Sequence, residues 1–116
     1  MLIEYDNEML AKLKSRYPYP YFHFGRNAEQ LCELLTALNL SQVDCIVSGL
    51  PFFFFTKEMQ EKIIMDVKKS LCQDGIFVAF QYSLQLKPLL IKNFSKVQVS
   101  FEFLNIPPAF IFHCKK

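Results

Sequence analysis

Short apolar runs alternate with amphipathic segments through the whole of this 116-residue chain, and that alternation narrows its folds more than any other feature. Residues 2–5 (LIEY) read as a strand. Asp6 follows as an N-cap, with Tyr5 before it and Leu10 after it at the spacing of a hydrophobic staple, over a helix to about Ser15. The run RYPYP at residues 16–20 ends that helix, because a proline disfavours helical geometry in the residue before it. Residues 21–24 (YFHF) make a second strand, ending at Gly25. Asn27 with Gln30 three positions on has the form of a capping box, and Leu31, Leu34, Leu35 and Leu38 share one helical face.

Residues 43–47 (VDCIV) are a buried-type strand that runs into Ser48, Gly49, Leu50 and Pro51. Thr56 then caps a helix whose Met59, Ile63, Ile64, Val67 and Leu71 form an apolar stripe, with its lysines and glutamates facing water. A turn at Gln73, Asp74 and Gly75 precedes the strongest strand of the chain, residues 76–82 (IFVAFQY). Pro88 suits the first turn of a short helix carrying Leu89, Leu90 and Ile91. Residues 96–104 (KVQVSFEFL) and 109–114 (AFIFHC) close the chain as two strands with no helix between them, which should pair antiparallel. The order βαβαβαβα followed by ββ predicts one α/β domain over residues 1–116: a three-layer, mostly parallel sheet with a C-terminal antiparallel hairpin.

Composition sorts the function classes. The net charge of +2, with basic residues dispersed among acidic ones, gives a nucleic-acid partner little to act on. Cys32, Cys45, Cys72 and Cys114 form no CxxC pair, and their mostly apolar surroundings suit reduced structural thiols in a cytoplasmic protein. With His23 and His113 alone available, no zinc ligand set can be spelled, and both histidines lie within apolar strands as structural residues. Met1 leads straight into a strand rather than a signal peptide, and the longest apolar stretch, residues 45–55, is interrupted and too short to cross a bilayer. Within it, Phe52, Phe53, Phe54 and Phe55 cannot all point one way on either a helix or a strand, so some of these rings face outward or towards a ligand.

Three segments in this order and spacing, VDCIVSGLPF, GIFVAFQYS and NIPPAF, resemble the bacterial phospholipid N-methyltransferases, a class I S-adenosylmethionine-dependent family that methylates phosphatidylethanolamine. The resemblance runs from Glu4 to about Phe112 and implies a Rossmann-like methyltransferase sheet. It further implies that Glu4 accepts hydrogen bonds from the cofactor ribose and that Asn27 and Ala28 lie beside the adenine, where the family usually has Asp-Ala. Ser48, Gly49, Leu50 and Pro51 would form the loop beside the transferred methyl, with Ser48 also at the cofactor. Phe52, Gln81 and Tyr82 would line the acceptor side. Such chemistry is an in-line displacement from a sulfonium to a neutral amine, so alignment, excluded water and carbonyl dipoles do most of it.

The family's first strand and glycine-rich loop have no counterpart here: Gly25, Gly49 and Gly75 are the only glycines, and residue 1 stands where the family's second strand begins. In the family's sheet that strand is central, so the cofactor site of these residues is expected to be incomplete. Either the flanking strands close up, or another copy, a second chain or the rest of a longer enzyme fills the gap. Two rival readings stay open. One is a non-catalytic remnant or interaction module. The other is an RNA adenine methyltransferase, whose Asn-Leu-Pro-Tyr loop is similar, though Ser48 replaces its asparagine and the charge is weak. Partners implied by the resemblance are a phospholipid or other amine, with at most peripheral contact with a membrane.

Overall fold

The computed structural model describes residues 1–18, 20 and 23–116. Its elements follow the expected order: β1 (Leu2–Ile3), α1 (Asn7–Arg16), β2 (Phe24–Gly25), α2 (Leu31–Ala37), β3 (Val43–Ser48), α3 (Lys57–Ser70), β4 (Leu71–Gln81), α4 (Lys87–Asn93), β5 (Lys96–Glu102) and β6 (Ala109–Lys115). Asp6 and Thr56 cap α1 and α3 as their side chains suggest, accepting from the N–H groups of Met9 at 2.8 Å and Met59 at 3.2 Å. Tyr5 remains exposed rather than closing a staple over Leu10, which is buried. Asn27 caps a single 3-10 turn over Ala28–Gln30 and accepts from the Glu29 N–H at 2.9 Å, so the anticipated capping box is replaced by a tighter local turn before α2. Of the anticipated YFHF strand, Tyr21 and Phe22 lie outside the described residues, as does Tyr19 of RYPYP.

The strands form two sheets. β1 and β2 pair in parallel, while the other four run in the order β3-β4-β6-β5, with β3 parallel to β4 and β6 antiparallel to both β4 and β5. The terminal hairpin is therefore as expected, and its β6 inserts between β4 and β5. The turn anticipated at Gln73, Asp74 and Gly75 is absorbed into β4 as an irregularity: Val43 pairs with Leu71 and Cys45 with Ile76, and Asp74 takes φ 64. An aspartate tolerates that left-handed conformation better than a branched residue would.

One face of the larger sheet is packed. Phe77, Ala79, Phe112 and Cys114 are buried there against Leu31 and Leu35 of α2, Ile63, Ile64 and Val67 of α3, and Leu90 of α4. Ile3 packs against the same core, tying the two-stranded sheet to it. The alternation of side chains puts Cys45 and Val47 of β3 and Ile76 of β4 on the opposite face, where all three are exposed, Val47 to 75%. β3 thus reads as a strand buried on both faces but is covered on one. β3 pairs only with β4, and β1 only with β2, so each leaves one parallel-sheet edge open among the described residues. β1 and β3 do not pair with each other among the described residues, so the two sheets have not closed up into one.

This arrangement revises the cysteine reading. Cys114 is buried, and burial pushes its thiol up to about 11. Cys72 is also pushed up, first by desolvation and then by its hydrogen bond to the Asp44 carboxylate at 3.6 Å. Cys45, by contrast, is exposed on the uncovered face rather than held in a core. Iodoacetamide should label Cys45 in the native chain at least about tenfold faster than Cys114, which should react only on unfolding; mass spectrometry of timed digests checks this. Both histidines are exposed as well, so neither is a core residue.

Candidate functional site

The carboxyl ends of the parallel strands bring most of the sequence-identified residues to one end of their sheets. Ser48 ends β3 and is buried; its hydroxyl accepts from the Leu50 N–H at 3.2 Å, so the chain turns tightly as it leaves the strand. Gly49 and Pro51 are exposed, and Leu50 is half-buried against the core. Beyond its own chain neighbours, a Cβ at Gly49 would meet nothing within 4 Å among the described residues, and its φ is not positive. Neither backbone strain nor a crowded neighbour calls for glycine here, which leaves open space beside the Cα for something outside the chain to approach.

Gln81, at the end of β4, holds this loop in place. Its side-chain amide, buried, donates to the carbonyls of Leu50 and Phe80, both at 2.7 Å. The Leu50 carbonyl also accepts from the Phe52 N–H at 2.9 Å, so that oxygen already has two donors and Gly49 remains the open part of the turn. Replacing Gln81 with leucine removes both side-chain bonds at a buried position and should lower stability by roughly 1–2 kcal/mol. Hydrogen exchange at the Leu50 and Phe52 amides should speed up, which tests whether Gln81 restrains the turn. Tyr82, next along, is exposed and meets Phe80 edge-on at a centroid distance of 5.4 Å.

The phenylalanine run divides by direction. It forms a 3-10 turn, Phe52–Phe54, in which Phe52 is 1% exposed within the core while Phe53 and Phe54 stand out at 66% and 80%. Phe52 therefore backs the small concavity that it shares with Phe53, Gln60, Gln81, Ser83, Gln85 and Leu86, and the outward rings are its two neighbours. Sequence reading overlooked Gln60, whose amide donates to the carbonyls of Phe52 at 2.8 Å and Phe55 at 3.1 Å and so fixes the turn. A glutamine on the polar side of a helix carries no sequence signal for that role.

At the smaller sheet, Glu4 follows β1. Its N–H donates to the Gly25 carbonyl at 3.0 Å, and one carboxylate oxygen accepts from the Asp6 N–H at 3.0 Å. The second oxygen has no partner among the described residues. Asn27 uses its side-chain oxygen on the 3-10 turn that includes Ala28, and its side-chain amide N–H groups have no hydrogen-bond partner among the described residues. The Lys62 ammonium on α3 ties this turn to the main body, donating to the Glu29 carbonyl at 2.6 Å and pairing with Asp66 at 3.1 Å. The Asp66 hydrogen bond is the main reason Lys62 is held above its usual range. Among the described residues, no group of histidine, cysteine or acidic side chains could hold a metal, and no helix is long and apolar enough to cross a membrane.

No protein-family model matches the chain. It is 30% identical over 90 residues to the ornithine lipid N-methyltransferase of Singulisphaera acidiphila, a match taking in 77% of this chain and 47% of that protein, so the chain spans about half of this relative. Its fold superimposes on the precorrin-6y C5,15-methyltransferase of Geobacter metallireducens with a TM-score of 0.67, at 16% identity, covering 98% of this chain and 66% of that one. The phosphoethanolamine N-methyltransferase 2 of Haemonchus contortus, solved with phosphomonomethylethanolamine and S-adenosylhomocysteine, aligns with a TM-score of 0.55 at 15% identity, over 99% of this chain and 32% of that one. These likenesses, together with the parallel strands and the closing antiparallel hairpin, give the chain the Rossmann-like fold of the S-adenosylmethionine-dependent methyltransferases, present as a partial domain.

Proposed function

We propose that this chain forms the acceptor side of an S-adenosylmethionine-dependent N-methyltransferase acting on a lipid amine. The observation that carries this reading is the open space beside Gly49, on a turn pinned by Gln81 at the end of the parallel strands. It is supported by the similarity to an ornithine lipid N-methyltransferase. Ligands of open α/β sheets bind outside the carboxyl ends of the strands, which is where this turn lies.

The residues present fit one part of the methyl donor. The free carboxylate oxygen of Glu4 suits ribose hydroxyls, and the uncommitted amide N–H groups of Asn27, with Ala28 beside it, suit the adenine edge. When bound, S-adenosylmethionine supplies an electrophilic methyl group. Ser48, Gly49, Leu50 and Pro51 shape the approach of the amine: Gly49 admits it closely, Pro51 stiffens the turn, and the turn's dipoles steady the positive charge that develops on nitrogen. Gln81 positions this turn, while Tyr82 and the Phe52 wall bound the acceptor side. The attacking form is the neutral amine left once the lipid ammonium has released its proton to water, so no residue of the chain need act as a strong base.

The methionine portion of the donor calls for a further segment, and the open edges of β1 and β3 together with the uncovered face bearing Val47 are where one would dock. A second copy, another chain or the rest of a longer polypeptide would complete the sheet there. The same edges favour a second reading, an interaction module that works through strand pairing without catalysis. Calorimetry with S-adenosylhomocysteine, followed by transfer of labelled methyl to ornithine lipid and phosphatidylethanolamine, separates the two. Methylated lipid is expected from the completed sheet; a completed sheet that binds no cofactor would leave only the interaction module.

A further inference from the structure

Three loops emerge at the end of the larger sheet where Gly49 lies: residues 49–56 after β3, residues 82–86 after β4, and residues 103–108 at the tip of the β5–β6 hairpin. The register places them together, because Ser48 pairs with Ala79, Gln81 with Phe110, and the last rung of the hairpin is Glu102 with Ala109. In a chain with 21% charged residues, none of these loops contains a single charge. They instead expose large apolar side chains: Phe53 and Phe54, Tyr82, and Phe103, Leu104 and Ile106, the last at 96%. The charges that border the loops, Lys57 and Glu58, Lys87 and Glu102, cancel in sign.

We infer that these loops are an interfacial docking rim that inserts into the surface of an uncharged or zwitterionic lipid bilayer, bringing the Gly49 turn to the level of the lipid headgroups. The inference rests on the reading of the acceptor as a lipid amine. Charge decides the occupant: a nucleic acid or an anionic surface would be met by lysine and arginine, which these loops lack. Shape points the same way. Side chains on protruding loop tips enter a fluid apolar phase readily, whereas a rigid protein partner would need a matching pocket for each. Aromatic side chains also favour the headgroup boundary, and three of the four exposed phenylalanines and tyrosine nearest the site come from the loops that follow β3 and β4.

Sedimentation of the full chain with phosphatidylcholine vesicles tests this without cofactor or methyl transfer. Binding is expected, and it should change less than about twofold between roughly 0.05 and 0.5 M salt, because insertion is apolar. The variant Phe54→Ser/Phe103→Ser/Leu104→Ser/Ile106→Ser should keep its circular dichroism spectrum and lose at least about tenfold in partitioning. The variant Met65→Ser/Ile91→Ser, at exposed positions of α3 and α4 outside these loops, should bind as the parent does. Unchanged partitioning in the loop variant would overturn the inference. So would binding that needs anionic lipid and disappears in salt, or light scattering showing that the loops hold a dimer together. Intact vesicle binding without methylation of any lipid would remove the proposed function alone; methylation of a monomeric short-chain lipid amine without vesicle binding would remove the docking rim alone.

Discussion

Gly49→Ala is expected to leave the thermal midpoint of the chain within about 2 °C of the parent and to reduce methyl transfer to a lipid amine by roughly 100-fold. The two halves of this expectation have separate causes. Apart from its own chain neighbours, the added methyl meets no atom of the described residues within 4 Å, and the backbone at Gly49 is not in the left-handed region, so folding meets neither clash nor strain. An alanine there even restricts the unfolded chain slightly. If the amine approaches through that space, however, a methyl group moves it away from the line of displacement, and displacement reactions fall off steeply with misplacement. Differential scanning fluorimetry and a labelled-methyl assay on the completed sheet read the two effects. Full transfer by the variant would place the acceptor elsewhere.

A large loss of stability is expected from Phe77→Ala, on the order of 3–5 kcal/mol. Phe77 is fully buried at the middle of β4, between Ile46 on β3 and Cys114 on β6, and stacks on Phe94 with centroids 5.8 Å apart and rings inclined by 15°. Its removal leaves a void in the one face of the sheet that is packed. Domains of this size have a few kcal/mol to lose, and among the described residues the opposite face of β3, with Cys45 and Val47 exposed, adds little packing to offset the deficit. Urea unfolding followed by circular dichroism should show a midpoint shifted far down or no cooperative transition at all. A shift equivalent to less than about 1 kcal/mol would mean that the stability of the chain resides outside this core.

Order and type of element follow from local physics, and they are legible in the residues. Asp6 and Thr56 cap their helices because a side-chain oxygen two or three residues from an orphan N–H has little else to bond. Ile63, Ile64 and Val67 are buried together because their spacing matches the turn of a helix, and the closing strands pair antiparallel because too few residues separate them for a crossover. Where residues separated by long stretches meet is a different matter. That Gln81 reaches the Leu50 carbonyl, that Gln60 grips the phenylalanine turn, and that Phe52 turns inward while Phe53 and Phe54 turn out depend on how β3, β4 and α3 pack, which no local spacing specifies.

The run VDCIV shows the division most clearly. Apolar side chains on both faces marked it as a strand meant for the middle of a layered sheet, and that much is intrinsic to its residues. Its single paired edge among the described residues, the 75% exposure of Val47 and the exposed Cys45 belong to the tertiary structure alone. A strand's sequence records the environment it suits, because burial acts on each side chain separately. Whether that environment is present depends on which other strands and helices are there to supply it.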